Sequence, residues 1–230
     1  MKKYSKKYQA ALKKLEPGKV YSLEEAVKLV KETSVTKFDS SVDINFILNV
    51  NPTLADQLIR GTVTLPHGNG KTKKVLVVTN TKLEDAKASG AEYFGGKEML
   101  EKIQHENWFD FDVIVATPDM MAELGKMGKL LGPKGLMPNP KTGTVTMDVK
   151  TAVNEIKAGK IAYRVDKHGN LSMGIGRVSF SDEFLLDNLK VITEQIVKSR
   201  PSTVKGTYIT KVVISSTMGP GVPVTFAGRN

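Results

Sequence analysis

"HGNGKTKKVLVVT" (residues 67–79) decides how this chain is organised. Its first half is polar and places Gly68 and Gly70 two residues apart, while its second half, "VLVVT" (75–79), is a short apolar run without alternation. Such a run fits a strand covered on both faces, as in a parallel sheet. Upstream, "SVDINFILNV" (41–50) behaves differently: Val42, Ile44, Phe46, Leu48 and Val50 alternate with Asp43, Asn45 and Asn49. That period of two predicts a strand with one face buried and one polar face open. "GTVTL" (61–65) is its expected partner.

Downstream, the unalternated pattern repeats in "VIVAT" (113–117), and a helical stretch follows each of the two runs, the second beginning near Pro118. Strands alternating with helices imply βαβ units. Past "KAGK" (157–160) alternation returns in "IAYRV" (161–165) and "LSMGIGRVSF" (171–180). An amphipathic helix follows, capped by Ser181 and carrying Leu185, Leu189, Ile192 and Ile196 on one face. A last strand, "TYITKVVISS" (207–216), leads into "TMGPG". Near the start, a basic helix over about residues 2–15 ends at Pro17-Gly18, and Ser22 with Glu25 predicts a capping box on the next helix. The expected fold therefore mixes α/β with α+β: an α+β sandwich made by both termini (1–67 and 159–230), into which a Rossmann-like α/β domain (68–158) is inserted. Gly68, Gly70 and Gly159 mark the two crossings as a glycine hinge.

Composition narrows the function classes. At 230 residues a core needs no covalent staple, and the absence of cysteine excludes disulfides and thiolate sites. No apolar run reaches the roughly 18 residues of a membrane span, so a cytosolic protein is expected. Lys and Arg number 34 against 24 acids, a formal charge of +10, which fits a polyanionic partner. Lysines at 2, 3, 6, 7, 13, 14 and 19 stand against the single acid Glu16 in the first twenty residues. Such a cluster repels itself when free and is stabilised by phosphates.

Motifs for chemistry fail one by one. Gly70-Lys71-Thr72 resembles the tail of a phosphate-binding loop, but Leu65 stands where the motif needs its first glycine, and a strand follows instead of a helix. "GIGRVS" (174–179) puts Ser179 where a dinucleotide fingerprint needs its third glycine. His67, His105 and His168 share no ligand spacing, and Asp110 with Asp112 reads as a solvated pair. No catalytic residue, metal site or cofactor is expected. What remains is a set of polar, basic turns: "TKFDSS" (36–41), "VDKHGN" (165–170), read as a hairpin tip with positive φ at Gly169-Asn170, and "TMGPG" (217–221). Phe38 read alone is a core aromatic.

Five motifs appear in order: "RGTVTLPHGNGK" (60–71), "ATPDMM" (116–121), "GKLLGPKGLMPNPKTGTV" (128–145), "YRVD" (163–166) and "STMGP" (216–220). On these the chain, from its lysine-rich start to about Pro220, resembles the L-one family of bacterial large-ribosomal-subunit proteins, the proteins of the mobile stalk. The resemblance implies a non-enzymatic, cytoplasmic RNA-binding protein of the ribosome, a monomer away from it. It implies binding of large-subunit rRNA and of the leader of its own operon mRNA, with translational repression, through Lys37, Phe38, Ser41, Asp43, Asp166, Lys167, His168, Gly169, Thr217, Met218 and Gly219. Lys129, Lys134 and Lys141 would face stalk RNA and the deacylated tRNA at the exit site, assisting its release. Phe38 and Met218 are expected to close over a dry centre. One loop departs from the family pattern: "NPTLADQ" (51–57) lacks its charges, and no RNA contact is assigned there. The tail 222–230 shows no usable pattern. The rival readings are an RNA-binding regulator acting off the ribosome and a nucleotide-using α/β enzyme.

Overall fold

The computed structural model describes residues 4–226. Lys2, Lys3 and the last four residues of the tail 222–230 lie outside the described residues. In chain order the helices are α1 (Lys6–Leu12), α2 (Leu23–Glu32), α3 (Leu83–Ala88), α4 (Lys97–Glu106), α5 (Met121–Lys126), α6 (Gly128–Leu131), α7 (Val149–Lys157) and α8 (Asp182–Lys198). The strands are β1 (Ser41–Leu48), β2 (Arg60–Thr64), β3 (Val75–Val78), β4 (Tyr93–Gly95), β5 (Val113–Ala116), β6 (Lys160–Arg164), β7 (Asn170–Arg177), β8 (Ile209–Ser216) and β9 (Val222–Val224). They form two compact units, one from the residues up to Gly70 together with those from Ile161 on, the other Lys71–Lys160.

In the first unit a four-stranded antiparallel sheet runs β7-β1-β8-β9. Val42, Ile44, Phe46 and Leu48 turn one face of β1 into the core, as their alternation requires. α2 and α8 cover that face, with Leu185, Leu189, Ile192 and Ile196 all buried. The capping box on α2 is formed: the Glu25 amide donates to Ser22 Oγ and the Ser22 amide to Glu25 Oε2, each at 3.3 Å. α1 is shorter than the helix expected from residue 2, because Ser5 caps it by accepting from the Tyr8 amide.

Two strand readings need correction. "GTVTL" does not pair with β1; β2 pairs with β6 in a separate two-stranded sheet. Both edges of β1 are taken by strands distant in sequence, which local patterning cannot foretell. For the same reason "VDKHGN" is no hairpin tip, since it joins β6 and β7 across two sheets, and within it only Gly169 takes positive φ, at 81°. The tail does hold structure: β9 pairs with β8, and Tyr21 bridges to Val224.

The second unit contains a parallel sheet in the order β4-β3-β5. All four residues of β3 are buried, and the two halves of its pleat enter different cores. Leu76 and Val78 pack with Leu100, Ile103 and Leu124, whereas Val75 and Val77 pack with Ala86, Val153 and Ile156. That double coverage is why "VLVVT" has no alternation. The short edge strand β4, set between polar and glycine residues, carried no such signal. Lys71-Thr72 runs into β3 and not into a helix, so no phosphate-binding loop forms there.

Candidate nucleic-acid interface

The open face of the β7-β1-β8 sheet is a small polar grid set by the strand register. Asp43 lies opposite Gly174 on one side and Ser215 on the other; Asn45 lies opposite Ser172 and Val213; Ile47 lies opposite Asn170 and Lys211. Neighbouring strands are about 4.8 Å apart and alternate residues along one strand roughly 7 Å. Donors and acceptors therefore stand at fixed intervals on a rigid backbone. Asn45 was read from sequence as part of the open polar face without being assigned to the site, and Ser172 and Ser215 were not singled out, although the alternation of "NLSMGIG" and "VVISS" carried the signal.

Turns rim this face. At the start of β1, Lys37 and Phe38 are exposed, with Phe38 at 61%. This corrects its reading as a core ring: the "TKFDSS" turn aims it outward, and Thr36 Oγ1 donates to the Phe38 carbonyl. At the end of β8, the Thr217 amide and hydroxyl both donate to the Ser41 carbonyl, at 3.0 and 3.3 Å, which ties Thr217 to the start of β1. Met218 follows with φ 62° and 73% exposure, so it is not core filler. A Cβ at Gly219 would stand 2.3 Å from Ser216 Oγ, so a larger residue there would force the Ser216 side chain to turn. Phe38 and Met218 are both exposed.

The third turn divides its labour. Asp166 accepts from the amides of His168 and Asn170, both at 2.8 Å, and from the Asn170 side chain at 3.1 Å. These bonds, the Asn170 amide first, hold its carboxyl below the ordinary carboxylate range. Gly169 is buried, its carbonyl accepts from the Leu48 amide, and a Cβ there would meet the Leu48 oxygen at 2.9 Å. Asp166 and Gly169 thus hold the turn while Lys167 and His168 stand exposed on it.

In the second unit, "LGPKGLMPNPKTG" (131–143) is organised around Asn139. Its side chain accepts from the Lys141 amide at 2.8 Å, and its carbonyl accepts from the Thr142 amide and hydroxyl. Gly143 follows with φ 66°. Thr144 and Thr146 then hydrogen-bond Ala116, which fastens the loop's end to β5. Lys129, Lys134 and Lys141 are exposed. Lys134 Nζ lies 4.0 Å over the ring of Phe109, whereas Lys129 and Lys141 make no ion pair among the described residues. Asp110, expected to be solvated, is exposed, and the Lys74 ammonium and then the Tyr93 hydroxyl hold its carboxyl low.

The glycines at the crossings carry local duties. Gly68 and Gly70 take φ 63° and 70°, and Gly159 takes 105° just beyond α7. The Gly68 carbonyl accepts from Asn188, a fully buried side chain on the apolar face of α8 that also donates to Ile175 and accepts from the His67 amide.

Turns bearing cations around a grid of short polar side chains make a surface suited to a polar, charged partner. Comparison with known proteins gives the chain its family. Residues 30–220 match the ribosomal protein L1p/L10e family. The chain is 57% identical over 224 residues to the large ribosomal subunit protein uL1 of Mesoplasma florum, covering 97% of this chain and 99% of the relative. It is 56% identical over 226 residues to the protein of that name from Mycoplasma capricolum subsp. capricolum, covering 98% and 100%. The chain belongs to this family of ribosomal proteins. With membership comes the coarse role, a structural, non-enzymatic, rRNA-binding component of the large subunit of the cytoplasmic ribosome.

Proposed function

We propose that the first unit is an RNA-binding domain that grips the stalk region of large-subunit rRNA through the open face of its four-stranded sheet. The observation that carries this reading is convergence. The Thr217 turn is bonded to the start of β1, and Asp43 stands between Gly174 and Ser215 on the same face. Folded RNA is recognised through shape, 2′-hydroxyls and exposed bases, which suits short donors and acceptors at fixed spacing. Lys37, Lys167 and His168 supply charge at the rim, and Phe38 with Met218 shields the centre once RNA arrives. Ser41, Asp43, Thr217 and Gly219 form that centre, while Asp166 and Gly169 position the tip.

The second unit, on this reading, is a separate domain inserted at glycine crossings that act as a hinge (Gly68, Gly70, Gly159). Its stiff loop presents Lys129, Lys134 and Lys141 to stalk RNA and to deacylated tRNA at the exit site, assisting release. The same first-domain face binds the leader of the protein's own operon mRNA and represses its translation. The test is binding to an rRNA stalk fragment and to the mRNA leader across a salt series, beside an unrelated RNA of equal length. Selectivity that persists as salt rises supports the reading. Equal binding that falls in parallel for all three RNAs, by about 0.7–0.9 in slope per phosphate contact, reduces it to a merely basic surface.

A further inference from the structure

Lysines on and just after α1 form a second charged surface that the sheet face does not use. Lys6 and Lys13 are seven residues apart, as are Lys7 and Lys14, which is about two helical turns. Lys13 keeps helical dihedrals (φ −63°, ψ −20°), so Lys6 and Lys13 stack along one side of the segment with Lys7 about 100° round from Lys6, and all three are exposed while Ala11 is buried. Lys6 and Lys7 occupy the first turn of α1, where no acid is present and where the helix dipole disfavours cations. Lys6, Lys7 and Lys13 make no ion pair among the described residues, and the nearby acid Glu16 is taken by Lys19. In the free chain these charges repel one another and the helix end together.

Lys14 Nζ donates to the Glu32 carbonyl at the last residue of α2, at 3.1 Å. Five residues after Glu32 the chain reaches Lys37 and Phe38, the rim of the sheet face. The turn that follows α1 is therefore tied to the end of α2, from which the chain leads into the proposed interface. We propose that Lys6, Lys7 and Lys13 form an auxiliary site for the phosphodiester backbone of RNA, outside the sheet face, contributing attraction without reading sequence. This inference rests on the RNA reading of the sheet face. Point charges on flexible stems suit phosphate, and a segment carrying no acid but Glu16 offers little to a basic partner.

The experiment compares the full chain with Lys6→Ala/Lys7→Ala/Lys13→Ala and with the charge-preserving Lys6→Arg/Lys7→Arg/Lys13→Arg, each against the rRNA stalk fragment over a salt series. The expected result is a plot of log affinity against log salt that is shallower by about 2 for the alanine variant and unchanged for the arginine variant. Selectivity over unrelated RNA is kept by both. Thermal melts check that folding is intact, which exposed Lys→Ala changes on a helix do not threaten. An unchanged slope in the alanine variant, with selective binding retained, overturns the auxiliary site and leaves the sheet-face reading standing. Loss of selectivity in the alanine variant also overturns it, since phosphate contacts carry no sequence information. Failure of the unmodified chain to select the stalk fragment overturns the sheet-face reading and this inference together. Binding of acidic lipid vesicles or acidic protein that competes with RNA for the alanine-sensitive surface assigns the charge to another partner.

Discussion

At Phe38 an aromatic ring stands 61% exposed beside an exposed lysine, where burial is the rule for aromatics. Its removal tests stability and binding separately: Phe38→Ala is expected to change unfolding free energy by no more than about 0.5 kcal/mol, as surface changes do, yet to weaken rRNA binding measurably. Denaturant melts and filter binding on the same preparation give both numbers. Thr217→Val and Met218→Asp are expected to lose more affinity than any single change at Lys37 or Lys167, because a hydrogen bond left unmade in a dry interface costs about 1–3 kcal/mol, roughly 5- to 150-fold. A larger loss from either lysine change removes the dry-centre picture. Asp166 gives a pH signature. Its carboxyl is held below the ordinary aspartate value in the folded chain, first by the Asn170 amide and then by the His168 amide and the Asn170 side chain. The stabilisation is therefore fully present at neutral pH and is lost as pH falls below that value through the folded one. Melts from pH 7 to 3 should show Asp166→Asn less stable than the unmodified chain at pH 7, with the gap closing towards pH 3.

Between elements, Asn188 joins α8 to β7 and to the segment after β2. It interrupts an apolar helix face and binds three backbone groups, on His67, Gly68 and Ile175. Asn188→Leu is expected to destabilise by about 2–4 kcal/mol, since it leaves buried carbonyls and an amide unpaired while changing volume little. A denaturant midpoint close to that of the unmodified chain contradicts this. From the sequence, Asn188 was one polar residue in an amphipathic helix, and nothing local distinguished it from a surface position. By contrast Ser22 and Glu25 were legible as a capping box because both partners lie within one turn, and the reciprocal bonds are present. Elements whose signal is local were read well. The β1–β2 pairing was misread because its outcome depends on segments elsewhere in the chain, whereas Phe38, read alone as core, is turned outward by its own turn.

For the whole molecule, the proposed division of labour predicts that a chain with 71–160 replaced by a short Gly-Ser linker still selects the rRNA stalk fragment, while losing contact with tRNA. Gel shifts with both RNAs check it, and loss of rRNA selection in a folded variant contradicts the assignment of the site to the first unit. By itself the sequence determined the types of strand, the helix faces and caps, the net charge and the ordered motifs that mark the family. Each of these is written in periodicity or in residue identity over a few turns. Only the tertiary structure decided which strands are neighbours, and with that which side chains share a face. β1 lies between β7 and β8, so Asp43 meets Gly174 and Ser215, and Asn45 meets Ser172. The physical reason is that strand pairing is a long-range choice among similar hydrogen-bonding edges, settled by the core that α2 and α8 close beneath the sheet.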